Sequence, residues 1–526
     1  MFGVLFVASV IAALSLRSII FAEPMVAWGD DASNGLLILE AKRFSLLEGH
    51  YSRTGTNHPG PGWLYLLAGG EALFYDWLHI VPAPFNAVVL AQIVIQCLCI
   101  AAVGGVATAL TRRAFAGIFI GAATFWGFVG WFGDTPFLGY ALGNTWPPFA
   151  SFTFLAPVVA FSIAVAYGRT AFLPGLVLAG GLLVHTHVAF FFVFGGLFVG
   201  VSIAWFVVHR RGVGAELKQH RVAAALAAIA LVLVIGPLVL RTILDWPNPW
   251  QGWFGFTRSV TVHPGWGEIA QYFLSDLMLI GIPVWVYGAA AAVAALLLVV
   301  ERDAARRRLA VTAYSVIGVI ALLSILYVKL AVDYVSPVEV YGYIVVYTLV
   351  LPPIFLSIVL VHLVGTVTER VKRAGGWRAV RVAVPILSTV AAIALFGSIT
   401  IANPTIGYAL QPQIARMAQI GDELAEYARA NGEVGIYLRD GSLWPDFATV
   451  FLAALRNEGV GDVCGYYAEG SDAQRLTMSS AFACDGTPEN IVELIRADSA
   501  DSATALWSHQ SDLVHPEGLV EWVPRS

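Results

Sequence analysis

Apolar runs of about 20 residues recur along this sequence, and each is long enough to cross a hydrocarbon core of about 30 Å. This feature constrains the fold more than any other. A backbone in lipid must satisfy its own hydrogen bonds, so it spans as helices or as a closed barrel. The runs here are continuous, whereas barrel strands alternate in short segments, so a barrel is excluded. About eleven spans are predicted, near 2–22, 87–110, 114–133, 148–167, 171–186, 188–208, 222–243, 277–300, 309–331, 343–366 and 382–400. Hydrophobic residues make up 58% of the chain and charged residues 12%, about half the charge of a soluble domain. A disordered chain, a nucleic-acid binder and a plain soluble enzyme are excluded. The expected fold class is a polytopic α-helical membrane protein.

Basic clusters set the orientation. Arg112-Arg113, Arg169, His209-Arg210-Arg211 with Lys218 and Arg221, Arg302 with Arg306-Arg307-Arg308, and Arg370 with Lys372, Arg373, Arg378 and Arg381 fall in alternate loops. Positive loops stay in the cytoplasm. The N-terminus is therefore expected inside the plasma membrane and the C-terminal segment outside it. The first span is read as a retained helix, because its start carries no basic residue and Arg17 sits inside the apolar run. Arg17 suits either snorkelling to the outer headgroups or contact with a lipid phosphate.

The outer loops carry most of the polar sequence. The first runs from 23 to 86, too long for a plain connection. A later one, around 245–276, holds Trp246, Trp250, Trp253 and Trp266. Two domains are expected: a membrane domain over 1–400 and an extracytoplasmic soluble domain over 401–526. From 401 to 526 there are 18 acidic residues, seven arginines and no lysine, a balance of −11. The rest of the chain balances at +6.

The tail reads as α/β: an amphipathic helix over 414–431, a strand at 435–438, a helix over 447–456 and a strand at 463–467. Cys464 and Cys484 lie in this exported segment, where oxidation is permitted. A disulfide between them would close a loop of about 20 residues and contribute roughly 3 kcal/mol. Cys97 and Cys99 lie within a span. No Gly-rich phosphate loop or nucleophile elbow is evident, so the tail reads as a lid, a scaffold or an acceptor-binding module.

The first outer loop begins Trp28-Gly29-Asp30-Asp31-Ala32, just beyond the first span. A helix with Leu36, Leu37, Leu39, Leu46 and Leu47 follows and is expected to lie along the membrane surface. Then come Arg53, Asn57 and the turn His58-Pro59-Gly60-Pro61. A carboxylate, an arginine and a histidine thus fall within 30 residues at one membrane face. Asp30 also suits a helix N-cap, and His58 suits a turn residue.

This pattern resembles the GT-C superfamily of polyprenyl-phosphate-sugar glycosyltransferases. The likeness rests on the carboxylate after the first span, the surface helix, the His-Pro turn, about eleven spans and the exported C-terminal domain. Locally it is closest at Asp30-Asp31-Ala32 and Glu48-Gly49-His50, and within the superfamily it points to actinobacterial arabinofuranosyl- and mannosyltransferases. The resemblance implies a sugar donor on a membrane polyprenyl phosphate, inversion at the anomeric carbon, and a glycan, glycolipid or protein acceptor. It implies that the first-loop carboxylate is the general base. By position this is Asp30, with Asp31 beside it.

Physical chemistry leads to the same parts. A carboxylate that takes the acceptor's proton accelerates such a step by typically 10²–10⁴-fold, and preorganised cations stabilise the departing phosphate. Candidate cations at the outer face are Arg53, His58, His185, His187, Arg241, Arg258, His263 and Lys329. His185 and His187 also suit interfacial hydrogen bonding, and Lys329 also suits snorkelling. Asn57, Trp253 and Tyr341 are candidate substrate contacts, although interfacial belts use tryptophan and tyrosine as well. No cofactor is expected; the adjacent Asp30 and Asp31 could take a divalent ion. Competing readings are a transporter or flippase, for which internal repeats are lacking, a non-catalytic envelope assembly protein, and a polysaccharide ligase.

Overall fold

The computed structural model describes residues 1–16, 18–51, 57–129, 141–244, 249–259, 263–279, 282–331, 347–373, 411–438, 444–457, 463–466, 482–488, 490–496, 507–510 and 519–525. The chain forms two compact units.

The first unit takes in 1–17, 92–144 and 148–404. Its helices are α1 (Phe2–Leu16), most of α4 (Pro84–Thr111), α5 (Ala114–Val129), α6 (Pro147–Ala166), α7 (Leu173–Thr186), α8 (Ala189–His209), α9 (Val213–Gln219), α10 (Arg221–Leu244), α11 (Pro249–Ser259), α12 (Trp266–Leu279), α13 (Val284–Val300), α14 (Ala304–Ala331) and α15 (Leu351–Arg373). Among the described residues, α4, α6, α8, α10, α14 and the segment Tyr347–Arg373 are long and apolar enough to cross a membrane. Shorter apolar helices include α1, α5, α7 and α13. This is a multi-pass membrane protein. Ten of the predicted spans coincide with helices, and the eleventh, 382–400, lies outside the described residues. Two spans are shorter than predicted. The first stops at Leu16 before a 3₁₀ turn at Ser18–Phe21. The one predicted over 277–300 starts at Val284, because Pro283 stands at its N-cap and lacks the N–H that would continue a helix.

Polar groups inside this unit find partners. Gln92 and Gln96 are fully buried and both donate to Thr153 Oγ1 at 3.2 Å. Gln96 also donates to the Ala141 carbonyl at 2.9 Å. At the basic end, Arg113 and Arg306 reach Glu369 at 3.1 and 3.3 Å, tying α14 and the residue before α5 to α15.

The second unit takes in 18–91, 145–147 and 405–526. It holds α2 (Asp30–Lys42), α3 (Gly62–Glu71) with a π-helical turn at Ala72–Trp77, α16 (Gln411–Asn431), α17 (Trp444–Arg456) and five strands. The strands are β1 (Val434–Leu438), β2 (Val463–Tyr466), β3 (Asn490–Arg496), β4 (Trp507–Gln510) and β5 (Leu519–Arg525), in the order β2-β1-β3-β5-β4. β1 runs parallel to β2 and β3, while β5 runs antiparallel to β3 and β4. The predicted tail helices and strands coincide with α16, β1, α17 and β2. Cys464 and Cys484 are bonded, with Cα atoms 5.0 Å apart.

One apolar core joins the first outer loop to the tail in this unit. Leu36 of α2 is fully buried among Ile420 and Leu424 of α16 and Phe447 and Phe451 of α17. Each such side chain contributes on the order of 2–3 kcal/mol. This corrects the expectation for the leucine face of α2. Leu36, with Leu39 packed against the same core, is covered by α16 and α17, and Leu46 and Leu47 lie beyond the end of α2 at Lys42; an apolar stripe specifies burial without specifying what buries it.

Candidate functional site

The head of α2 is built by a glycine. Gly29 is the N-cap, with φ 58° and ψ −123°, a backbone conformation that favours glycine. Asp30 is therefore the first helical residue, one position past the cap that its sequence context suggested. Its carboxylate accepts from the Tyr51 hydroxyl at Oδ1 and from the Trp146 indole N–H at Oδ2, the latter at 2.5 Å. Asp31 Oδ1 accepts from the Thr145 hydroxyl at 2.5 Å. Tyr51, Trp146 and Thr145 thus supply neutral donors to the two carboxylates, and the helix dipole adds positive potential at this end.

The surroundings are tight. Ser33 and Asn34 in the next turn are each 2% exposed. The Asn34 Nδ2 donates to the Thr145 carbonyl at 3.4 Å, and its Oδ1 has no hydrogen-bond partner among the described residues. Burial pushes the Asp31 carboxyl up from 3.8 to about 7; the Thr145 bond opposes that rise and the neighbouring Asp30 charge adds to it.

The loop that delivers Tyr51 is closed at its base. His58 N donates to the His50 carbonyl at 2.8 Å, and Gly49 N donates to the His58 carbonyl at 3.0 Å. The two imidazoles are buried with centroids 4.3 Å apart, and Asn57 donates to the Gly49 carbonyl at 3.1 Å. At the tail of α2, Lys42 meets Glu71 at 3.1 Å and Asp76 at 2.5 Å, and Arg456 meets Glu71 at 2.6 Å. Burial lowers the Lys42 ammonium's affinity for its proton, but the two carboxylates outweigh that and raise it.

Among the sequence-predicted residues, Asp30, Asp31, Asn57 and His58 fall in this unit. Arg53 and Tyr341 lie outside the described residues. The others belong to the first unit. His185 is buried against the Val234 carbonyl at 2.8 Å, and His187 accepts from the Ala189 amide at 3.1 Å as a cap for α8. Lys329 donates to the Pro264 carbonyl at 2.7 Å and lies 5.6 Å from the Trp266 ring. Trp253 is buried in an aromatic cluster with Phe191 and Trp250, at 5.5 and 5.2 Å. Arg258 and His263 are exposed and Arg241 is half-buried. Sequence reasoning missed Tyr51, Thr145 and Trp146. Tyr51 sat in the quoted loop with no spacing to single it out, and Trp146 stands 116 positions from Asp30. Among the described residues no group of three or more His, Cys, Asp or Glu side chains is placed to hold a metal ion.

Two solved structures are similar over nearly the whole length. The ArnT of Cupriavidus metallidurans in the apo state matches with a TM-score of 0.58 and 14% identity, over 99% of this chain and 97% of that one. This chain has the ArnT fold. The same protein bound to undecaprenyl phosphate matches with a TM-score of 0.56 over the same shares and at the same identity. A third likeness is to an Archaeoglobus fulgidus oligosaccharyltransferase in complex with zinc and sulfate, with a TM-score of 0.43 and 13% identity over 95% of this chain and 68% of that one. No family model and no curated protein matches this sequence.

Proposed function

We propose that this chain is a membrane glycosyltransferase that moves a sugar from a polyprenyl-phosphate donor to an envelope glycan, glycolipid or protein at the outer face of the plasma membrane. The observation that carries this reading is the carboxylate pair at the head of α2, held by three donors, in a chain with the ArnT fold. One of the ArnT structures carries undecaprenyl phosphate, which supports a polyprenyl-phosphate donor. The sugar proposed from the actinobacterial resemblance is arabinofuranose or mannose.

The chemistry is a single displacement. A carboxylate of the Asp30-Asp31 pair takes the acceptor hydroxyl's proton as its oxygen bonds to the anomeric carbon. The bond from that carbon to the phosphate oxygen breaks with its electron pair, polyprenyl phosphate departs, and the anomeric centre inverts. The departing phosphate gathers charge that preorganised cations stabilise. Arg53, Arg241, Arg258 and Lys329 are proposed for it.

Release of polyprenyl phosphate from a panel of lipid-linked sugars tests this, using purified full-length protein, an envelope glycolipid extract, and a variant with both aspartates changed to asparagine. Turnover of one donor by the wild type, and none by the folded double variant, is expected. Movement of an intact donor across a vesicle bilayer without its consumption would replace this reading with transport.

A further inference from the structure

The two carboxylates at the head of α2 are adjacent in sequence and unlike in surroundings. Asp30 accepts at both oxygens: Tyr51 donates to one and Trp146 to the other. Hydrogen bonds to a carboxylate stabilise its charge and make it a poorer proton acceptor. Asp31 is bound at Oδ1 alone, by Thr145, and no described residue donates to its Oδ2. Its side chain keeps partial access to solvent. Asp31 therefore has an oxygen that accepts no hydrogen bond from a described residue, whereas each oxygen of Asp30 already accepts one.

We propose that Asp31 takes the acceptor's proton, and that Asp30, locked by Tyr51 and Trp146, is a positioning carboxylate that holds negative charge beside it. This rests on the glycosyl-transfer reading above and assigns the roles within its carboxylate pair. The hydroxyl proton goes to Asp31 Oδ2 as the new bond to the anomeric carbon forms, and the phosphate leaves with the electrons of the bond that breaks. Asp30 keeps its charge and its two donors throughout. The value of about 7 for Asp31 fits the role, because a base works best when its affinity for a proton matches the working pH. Tyr51 is a titratable group that the structure brings to Asp30 from outside α2. Thr145 and Trp146 bring donors that do not titrate at working pH.

The geometry also explains why Thr145 and Trp146 stand side by side. Consecutive residues secure consecutive aspartates, so the relative placement of the two carboxylates is set by one dipeptide.

Profiles of kcat/KM against pH for donor consumption separate the two roles. Asp31→Asn is expected to lose about 10²-fold or more at every pH. Asp30→Asn retains turnover, and its acid limb moves to lower pH, because removing the neighbouring negative charge lets Asp31 ionise earlier. Trp146→Phe lowers kcat with little change in KM. The opposite pattern, an inactive Asp30→Asn and an active Asp31→Asn with a displaced limb, overturns the proposal. Infrared titration of chains labelled with ¹³C-aspartate reads the pair without turnover. A protonated-carboxyl band that disappears near neutral pH is expected in the wild type, displaced to lower pH in Asp30→Asn, and missing from Asp31→Asn. Its survival in Asp31→Asn also overturns the proposal. A wild-type chain that shows this band but consumes no donor leaves the division of the pair standing and removes the transfer reading on which its catalytic meaning rests.

Discussion

The two ends of α2 hold buried carboxylates in opposite ways. At its tail, Glu71 is 2% exposed and is met by two cations, Lys42 and Arg456. At its head, Asp31 is met by a hydroxyl, and its neighbour is another aspartate. A buried carboxylate with two cations is a clasp, since desolvation and charge are both compensated. A carboxylate given only a neutral donor keeps its affinity for protons. The difference matches a stabilising role at one end of the helix and the proton transfer proposed for the other.

The comparison breaks most easily at the tail. Glu71→Ala leaves Lys42 and Arg456 without their shared acceptor and is expected to cost about 3–5 kcal/mol, as removal of one partner from a buried ion pair does. Thermal unfolding of the detergent-solubilised chain measures it. A loss near zero would mean that the clasp is ornamental.

The head should behave in the opposite sense. The Asp31 carboxyl binds its proton more tightly folded than unfolded, so between pH 4 and about 7 the folded state holds a proton that the unfolded state has released. Stability then falls as pH rises through this window and levels off above it. Asp31→Asn removes the penalty. Its gain over the wild type should grow from pH 4 to 7 and then level off, at a few kcal/mol at most, given about 1.4 kcal/mol per pH unit. A gain that is flat with pH would sink the assignment.

The disulfide gives an intermediate control outside α2 itself. Replacing Cys464 and Cys484 by serine should cost about 3 kcal/mol, at all pH values alike. Loss of donor turnover in that variant while it is still folded would give the tail a direct part in the chemistry. The smallest effect is expected from Thr145→Val. Removing the hydroxyl that opposes the rise in Asp31 should move the acid limb of the pH profile upward by about one unit, since a hydrogen bond to a charged group contributes roughly 1.5–3 kcal/mol.

Much of the fold was legible because hydrophobic runs and periodicity are local. The positions of the spans and the tail order α16, β1, α17, β2 follow from stretches of 4 to 28 residues. What covers an apolar face is not local. The leucines of α2 carried the signature of a surface helix, but Leu36 is buried in one core with Phe447 and Phe451, some 400 residues on. The carboxylates themselves were legible from their place after the first span. Their partners were not, because nothing in the spacing of Thr145-Trp146 marks it as a donor pair. Gly29 was also silent, although with its positive φ it takes the cap and leaves Asp30 as the first helical residue. For Trp253, composition allowed a sugar platform or a packing role; the structure packs its indole between Phe191 and Trp250.

The most direct test sets the two ends of α2 side by side in one experiment: melting temperature and donor consumption of Asp31→Asn and Glu71→Gln, both as full-length protein. The account predicts that Asp31→Asn melts at or above the wild type at pH 8 and consumes no donor, while Glu71→Gln melts lower and still turns over below its melting point. An Asp31→Asn variant that turns over like the wild type would contradict it.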